Sequence, residues 1–164
     1  MITLRLATTA DIPQLPLIEQ SAGEAFRGTA HEWIADDDIT PAEAYPPFIA
    51  AGQVRVAEID GELVGYVRTG LYGDELHVFE LDVRHDRQGR GIGKALMAAA
   101  HDEAISRDCR AMTLTTFSNV PFNAPFYERL GFVILESPSP RLGEILAAEA
   151  EHGLIDRCAM RAAL

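Results

Sequence analysis

Cysteine is scarce in this chain of 164 residues. Cys109 and Cys158 are the only two, and they do not form a CxxC pattern. A disulfide framework and a cysteine-based metal site are therefore disfavoured, and two buried thiols are expected. No apolar run approaches the roughly 20 residues of a membrane span, and the start of the chain lacks the basic residues and long apolar run of a signal peptide. We therefore expect a cytoplasmic protein with no membrane partner and no metal.

Positive charge is also in short supply. The chain has 14 Lys and Arg residues against 25 Asp and Glu residues, which gives a net charge of −11. This balance argues against nucleic acid as a partner and is compatible with a cationic amine as a ligand. The length, the mass of 17.9 kDa and the apolar fraction of 48% fit a single domain over residues 1–164.

A glycine-rich segment, Gln88-Gly89-Arg90-Gly91-Ile92-Gly93-Lys94, is the most informative feature. It follows the apolar run Val78–Val83 and precedes the helix-like Ala95–Ala100. Glycines let a backbone approach a ligand closely, and the free N–H groups of a helix's first turn favour an anion. The segment therefore predicts a phosphorylated ligand at a helix N-terminus, although a tight turn without a ligand would use glycine too.

Two well-known phosphate motifs do not match this segment. A P-loop needs a Gly-Lys-Ser/Thr after four intervening residues, which the chain lacks. A dinucleotide fingerprint needs G-x-G-x-x-G in the first βα unit, whereas Gly89, Gly91 and Gly93 are spaced as G-x-G-x-G in the middle of the chain.

The segment does match Q/R-x-x-G-x-G/A, with Gln88, Gly91 and Gly93 at the defined positions. It resembles the coenzyme A pyrophosphate loop of the GCN5-related N-acetyltransferases, the GNAT superfamily. A second segment, Phe122–Phe132, is similar to that family's N-x-x-(F/L)-Y-E-(K/R)-x-G-F signature and contains Tyr127. The order of the two segments, with the strand-like Ala111–Phe117 between them, extends the resemblance over essentially the whole chain.

Hydrophobic periodicity and turn residues predict the elements of the fold. Thr9 or Asp11 is expected to cap the first helix, and Thr40 to Glu43 read as a capping box whose helix is broken or kinked by Pro46-Pro47. Asp60-Gly61 predicts a hairpin turn, and Gly131 a helix end. The predicted strands are 1–7, 53–59, 62–71, 75–83, 111–117, 132–136 and 156–163. The first predicted helix ends near residue 26, the second runs from about residue 40 to about residue 51, and the other three span 91–107, 121–130 and 142–152.

These elements predict an α+β fold, an α/β/α sandwich with a mixed, mostly antiparallel sheet of about seven strands and flanking helices. Since a helix separates strand four from strand five, the two are expected to be parallel. The resemblance implies that these two strands splay apart, with coenzyme A between them and the acceptor amine entering from the other side.

The resemblance also implies that acetyl-CoA is the co-substrate and assigns residues to it. The pyrophosphate is expected on the backbone N–H groups of residues 88–94, and the thioester carbonyl on the Val83 N–H. Tyr127 is the expected acid for the leaving thiolate. Asn123 is the first candidate for the pantetheine and Asn119 the second. The full set of expected coenzyme contacts is Leu81, Asp82, Val83, Gln88, Gly89, Arg90, Gly91, Ile92, Gly93, Lys94, Asn119, Asn123, Phe126 and Tyr127.

Three side chains are candidates for the base that takes the proton of the amine. Glu80 is the first, because it lies on strand four beside the expected thioester, where burial would raise its pKa. His77 on the same strand is the second and His85 the third, and a chain of waters without a single base stays open.

Acceptor specificity is expected from segments outside the two signatures. Phe26, Trp33 and Glu80 are the candidate substrate contacts, with Asp36-Asp37-Asp38 nearby in the sequence. The leading function is transfer of an acetyl group to a primary amine of a small molecule, amino acid or peptide N-terminus. A non-catalytic coenzyme A sensor and a protein lysine acetyltransferase are the alternatives, and a homodimer is compatible with the fold.

Overall fold

The computed structural model describes all 164 residues. It contains seven strands and five α-helices, joined by short 3-10 helices and turns. The strands are β1 (Thr3–Leu6), β2 (Val54–Ile59), β3 (Glu62–Tyr72), β4 (Glu75–Val83), β5 (Ala111–Phe117), β6 (Val133–Ile134) and β7 (Arg157–Ala163). The α-helices are α1 (Leu15–Gly23), α2 (Tyr45–Ala50), α3 (Ile92–Ser106), α4 (Ala124–Glu128) and α5 (Pro140–Glu151).

The strands form one seven-stranded sheet in the order β1-β2-β3-β4-β5-β7-β6. β4 and β5 pair in parallel, from Glu75 opposite Ala111 to Val78 opposite Leu114, whereas β1–β2, β2–β3, β5–β7 and β6–β7 are antiparallel. The predicted mixed, mostly antiparallel sheet with flanking helices and parallel strands four and five is confirmed.

Residue contacts divide the chain into two units, Met1–Thr69 with Glu80–Ala100, and Gly70–Phe79 with His101–Leu164. The single domain over residues 1–164 stays a prediction.

The first unit has an apolar core between its helices and the sheet. Leu15 and Ile18 of α1, Tyr45 of α2, and Val56 and Tyr66 of β2 and β3 are buried together. On α3, buried residues recur at helical spacing, at Ile92, Leu96, Met97 and Ala100. Gly65 of β3 allows a close approach here, since an added Cβ would lie 2.8 Å from the Asp82 carbonyl oxygen and 3.3 Å from the Leu96 side chain.

The second unit is organised by β5 and β7. The two strands pair along their full length, from Ala111 opposite Ala163 to Phe117 opposite Arg157. Met112, Leu114 and Met160 of these strands and Leu142 of α5 are almost completely buried. The two-residue β6 pairs with the other side of β7, so β7 lies between strands that precede it in the chain.

Two predicted helix starts are wrong. Thr8, not Thr9 or Asp11, is the N-cap of the first helical segment, a 3-10 helix that precedes α1, and Asp11 completes its capping box. Thr40 forms no cap, because Pro41 precedes the short 3-10 helix Ala42–Ala44 and the Thr40 hydroxyl is bonded elsewhere. Pro46 and Pro47 begin α2 instead of breaking a helix, since the first-turn N–H groups that they lack have no helical partner in any case.

The predicted hairpin turn and the predicted glycine after a helix end are confirmed. Asp60 and Gly61 both have positive φ, of 51° and 80°, as a two-residue hairpin turn requires. Gly131 has a φ of 97° just after α4, which is nevertheless shorter than predicted. Of the two thiols expected to be buried, Cys109 is buried, whereas Cys158 is only half-buried; both are free. No helix combines the length and the apolar character that crossing a membrane demands.

Candidate active site

The turn from β4 into α3 positions the glycine-rich segment. A short 3-10 helix, His85–Arg87, is followed by Gly89 with a φ of 73° and Gly91 with a φ of 82°. The first bond of α3 runs from the Ala95 N–H to the Gly91 carbonyl oxygen at 3.0 Å. The N–H groups of residues 92–94 therefore precede the first intrahelical bond, and they carry the positive end of the helix dipole.

The backbone of this segment is open to a ligand. A Cβ added at Gly89 or Gly91 would meet no atom within 4 Å, so these glycines are required by their backbone conformation and not by crowding within the chain. Arg90 and Lys94 are exposed. The Gln88 side chain donates to the Val83 carbonyl oxygen at 3.0 Å, which ties the segment to the end of β4. Backbone and charge together fit a phosphate group.

A carboxylate on β4 is held by two hydroxyl groups in the same unit. Oε2 of Glu80 accepts a hydrogen bond from the Tyr66 hydroxyl at 2.9 Å, and Oε1 accepts one from the Thr40 hydroxyl at 3.1 Å. The Arg68 Nε lies 3.8 Å from Oε2, and the Glu80 side chain retains 21% of its exposure. Glu80 is therefore fixed in orientation and still accessible, which are the two properties that a base acting on a substrate needs.

Two further carboxyl groups lie near Glu80. Burial raises the pKa of Glu19 on α1 to about 7, and the Glu80 charge adds to the shift, although hydrogen bonds from Thr40 oppose it. Burial likewise raises the pKa of Asp82 to about 8, helped by the charges of Glu80 and Glu19 and opposed by a hydrogen bond with Tyr66. Glu19 and Asp82 therefore exchange protons near neutral pH, and the acidic groups around Glu80 favour a cation.

Two buried tyrosines, Tyr45 and Tyr66, form a chain of hydroxyl contacts that ends at Glu80. The Tyr45 and Tyr66 hydroxyl oxygens are 2.9 Å apart, and their rings meet edge to face with centroids 6.1 Å apart. Either hydroxyl can be the donor within this pair, and the Tyr66 hydroxyl is also hydrogen-bonded with Glu80 and Asp82. Burial raises the pKa of both phenols above the ordinary value, so both stay neutral hydrogen-bond donors.

The structure places the second base candidate, His77, in the other unit and buries it. His77 is only 2% exposed, and its Nδ1 lies 2.9 Å from the Thr113 hydroxyl. Its ring meets Phe79 edge to face with centroids 4.8 Å apart. The third candidate, His85, is exposed, and its backbone N–H donates to the Ser21 hydroxyl at 2.9 Å.

The side chains of the second signature lie around α4. Tyr127 is half-buried, with its ring against Phe126 at a centroid distance of 5.0 Å and against Phe132 at 5.9 Å. Asn123 is the N-cap residue of α4, without a side-chain capping bond, and its carbonyl accepts from the Tyr127 N–H at 3.2 Å. Asn119 is exposed and donates to Asp156 at 3.2 Å.

The residues expected to contact the acceptor lie in the segment between α1 and α2. Phe26 ends a 3-10 helix and is half-buried, whereas Trp33 is 38% exposed. Asp36 is not a free acidic group, because Arg27 binds both it and Glu24. The structure leaves Asp37 and Asp38 exposed.

Three hydroxyl-bearing residues near Glu80, namely Thr40, Tyr45 and Tyr66, were not predicted as site residues. Thr40 was assigned to a capping box, and the two tyrosines were not singled out. A signal was present for Tyr66, because a tyrosine within the buried stretch Leu63–Val67 of β3 needs a partner for its hydroxyl. Nothing in the sequence pairs Thr40 with Glu80, since the two are 40 positions apart.

Comparison with known proteins identifies the class to which this fold and site belong. The model of the acetyltransferase (GNAT) family matches residues 18–132. The chain belongs to the GNAT family.

A curated relative gives a further reference point. The mycothiol acetyltransferase of Streptomyces coelicolor is 34% identical over 102 residues, which cover 61% of this chain and 33% of that protein. The matched region thus corresponds to about a third of the length of this curated relative.

Solved structures share the fold over the whole chain. The PaiA N-acetyltransferase of Thermoplasma acidophilum, in complex with coenzyme A, has a TM-score of 0.80 at 15% identity and covers 100% of this chain and 99% of its own. The ribosomal-protein-alanine N-acetyltransferase of Brucella melitensis has a TM-score of 0.73 at 21% identity, with 99% of each chain covered.

Proposed function

We propose that the chain is an N-acetyltransferase that moves an acetyl group from acetyl-CoA to a primary amine. The observation that carries the proposal is the glycine-rich segment at the start of α3, with positive φ at Gly89 and Gly91. Membership of the GNAT family supports the reaction class, and the compared PaiA N-acetyltransferase structure contains coenzyme A.

The pyrophosphate of the coenzyme is held by the N–H groups of residues 88–94. The first-turn N–H groups of α3 and the helix dipole favour the anion, and the space beside Gly89 and Gly91 lets the phosphates approach the backbone. Arg90 and Lys94 add positive charge to this segment, in a protein whose net charge is −11. Leu81, Asp82 and Val83 lead into the segment, and the Val83 N–H is the proposed donor to the thioester carbonyl.

Glu80 is the proposed base. A cationic amine first loses one proton to solvent, since only the neutral nitrogen can attack. The neutral nitrogen bonds to the acetyl carbon, the carbon–sulfur bond breaks, and the nitrogen gives up a further proton. Glu80 is better suited to accept that proton than His77, because Glu80 is accessible and held by two donors whereas His77 is almost fully buried. The carboxylates around Glu80 favour a cationic amine as the incoming acceptor.

Tyr127 is the proposed acid that returns a proton to the leaving thiolate, with Phe126, Asn123 and Asn119 as proposed contacts of the pantetheine arm. Its half-buried hydroxyl-bearing ring is fixed by aromatic contacts to Phe126 and Phe132. Phe26 and Trp33 are proposed acceptor contacts. We further propose that the protein acts as a single domain in the cytoplasm, that it needs no metal, and that its acceptor is a small molecule or peptide.

Calorimetric titration with acetyl-CoA tests the first half of this proposal, with dephospho-CoA and NAD as controls. Micromolar binding of acetyl-CoA, with NAD inert, is the expected result. Thiol release in the presence of a panel of amines tests the second half. Binding without thiol release from any amine would favour a non-catalytic coenzyme A sensor over the enzyme.

A further inference from the structure

One hydroxyl group lies between two carboxyl groups in the first unit. The Thr40 Oγ1 is 3.1 Å from Oε1 of Glu80 and 3.4 Å from Oε1 of Glu19. The backbone N–H of Thr40 also donates to Oε2 of Glu19 at 2.9 Å. Thr40 is therefore attached to Glu19 through its main chain, independently of what its hydroxyl does.

The hydroxyl cannot satisfy both carboxylates at once, because it carries one proton. When Thr40 donates to Glu80, its oxygen is left as an acceptor, and the contact with Glu19 is a hydrogen bond only if Glu19 is protonated. When Glu19 is ionised, Thr40 can donate to Glu19 and accept from a protonated Glu80. The position of one proton thus couples the two carboxyl groups.

The surroundings of Glu19 keep that proton labile near neutral pH. The charged and titratable groups around it are Glu80 and Asp82 on β4, Arg68 and Tyr66 on β3, and Tyr45 on α2. Burial and the charge of Glu80 raise the pKa of Glu19 to about 7, while Thr40 and Arg68 act in the opposite direction. Glu19 is half-buried, so it retains contact with solvent.

On its other side Glu80 is bonded to Tyr66, which contacts Tyr45 and Asp82. Tyr45 is completely buried, and burial raises the pKa of Asp82 to about 8, so Asp82 gives up its proton at a higher pH than Glu19, whose pKa is about 7. Burial raises the pKa of both phenols, so neither releases a proton near neutral pH. The two tyrosines orient Glu80, whereas the Thr40 side leads to a carboxyl group that exchanges protons with water.

We propose that Thr40 and Glu19 form a proton relay that returns Glu80 to its ionised state after each acetyl transfer, an inference that rests on the proposed function. The amine proton first bonds to a Glu80 oxygen as the N–H bond breaks. Glu80 then gives a proton to the Thr40 oxygen while the Thr40 proton moves to Oε1 of Glu19. Thr40 ends with one proton, Glu80 is ionised, and Glu19 is a carboxylic acid that releases its proton to solvent.

The relay makes activity depend on the ionisation of Glu19. The ionised fraction of Glu19 grows as pH rises through about 7, so turnover in the wild-type protein is expected to rise over the same range. Replacing Thr40 with valine removes the hydroxyl but keeps the side-chain shape and the backbone N–H to Glu19. Replacing Glu19 with glutamine removes the proton acceptor and keeps its size.

The experiment compares wild type, Thr40→Val, Thr40→Ser, Glu19→Gln and the double variant Thr40→Val/Glu19→Gln. Thiol release is measured against pH, from about 6 to about 9, and acetyl-CoA affinity is measured by calorimetry. Thr40→Val and Glu19→Gln are each expected to lower kcat by about 10-fold at the high-pH end, without changing acetyl-CoA affinity, and to abolish the rise through neutral pH. Thr40→Ser restores both the rate and the profile, and the double variant is no slower than either single variant.

Two outcomes overturn the relay. If Thr40→Val keeps the wild-type pH profile, or if the single effects multiply in the double variant, Thr40 and Glu19 do not act in one path. Loss of acetyl-CoA binding identifies a variant that has misfolded. If Thr40→Val misfolds, Thr40→Ser tests the relay instead: serine keeps the hydroxyl group, so an altered pH profile in Thr40→Ser contradicts the relay. If the wild type is active and Thr40→Val has the same pH profile of turnover, the relay is refuted and the proposed function stands. If the wild type acetylates no amine, the proposed function is refuted together with the relay.

Discussion

The hydroxyl of Tyr66 donates a hydrogen bond to Oε2 of Glu80 over 2.9 Å and so links the interior of β3 to the candidate base on β4. Tyr66 is completely buried, whereas Glu80 is partly exposed. A rigid, desolvated donor therefore holds a carboxylate at the edge of the core. Such an arrangement fixes the direction of the carboxylate without closing off its access to a substrate.

Replacement of Glu80 by glutamine tests the role of that carboxylate. The amide has nearly the same shape but cannot take a proton from the amine, so kcat is expected to fall about 100-fold or more. Acetyl-CoA affinity, measured by calorimetry, stays at the wild-type value. Glu62→Gln, at an exposed position of β3, is the matched control and keeps its activity. If Glu80→Gln turns over at the wild-type rate, a water chain or another base accepts the amine proton.

Replacement of Gly91 by glutamate tests the phosphate site. The φ of 82° strains any other residue, and the new carboxylate would occupy the open space expected to hold phosphate. Acetyl-CoA binding is therefore expected to disappear in calorimetry. Gly153→Glu is the control, because Gly153 has a φ of 84° and equally open surroundings outside this segment. Equal losses of affinity in both variants would point to backbone strain and contradict the phosphate assignment.

Replacement of Tyr127 by phenylalanine removes one hydroxyl group and keeps the ring contacts with Phe126 and Phe132. If this hydroxyl protonates the leaving thiolate, kcat falls by about 10-fold or more while acetyl-CoA affinity is preserved. Steady-state thiol release and calorimetry separate the two quantities. Tyr72→Phe, at an exposed tyrosine, is the control. Unchanged turnover in Tyr127→Phe means that the acid lies elsewhere.

Replacement of Gly65 by alanine tests the close packing of β3. The added Cβ would lie 2.8 Å from the Asp82 carbonyl oxygen, which is backbone and cannot rotate away. The free energy of unfolding is expected to fall by about 1–3 kcal/mol, as measured by urea denaturation. Gly143→Ala in α5, where a Cβ meets nothing within 4 Å, is expected to raise it by up to about 1 kcal/mol. If both changes had similar effects on the free energy of unfolding, the close contact at Gly65 would not determine the stability of this part of the fold.

The ion pair between Arg5 and Asp11 predicts a pH dependence of stability. Hydrogen bonds from Arg5, at 2.8 and 2.9 Å, and from the Thr8 N–H lower the pKa of Asp11 to about 2, against the effect of burial. Because the pKa is lower in the folded state, the ionised group stabilises the fold above about pH 4, and that contribution is lost as pH falls towards 2.

Asp11→Asn is therefore expected to cost about 2 kcal/mol at neutral pH, since the pKa shift sets the size of this contribution. Denaturant unfolding at several pH values should show the gap between wild type and variant shrinking below about pH 4. Asp38→Asn, at an exposed position, is the control for the loss of one carboxylate. If the difference in free energy of unfolding between wild type and Asp11→Asn did not change with pH, the loss of stability would come from packing and not from the charge of Asp11.

Much of the fold could be predicted because its signals are local. The strand Ala111–Phe117 and the turn at Asp60-Gly61 depend on residue types a few positions apart. Helix starts were less predictable, as Pro46 and Thr40 show, because a proline or a threonine fits several roles at the edge of a helix. α4 proved shorter than its periodicity indicated, since its turns outside Ala124–Glu128 do not complete helical bonding.

By itself, the sequence determined the class of this protein: glycines at 89 and 91 and the Phe122–Phe132 signature are contiguous motifs whose chemistry depends on neighbouring residues. Only the tertiary structure decided which polar side chains share protons. Glu19 on α1, Thr40 in a loop, Tyr66 on β3 and Glu80 on β4 come from four separate segments, which the fold brings together through the hydrogen bonds between these side chains. Burial at that meeting point, which no local pattern encodes, is what shifts the acidic groups towards neutral pH.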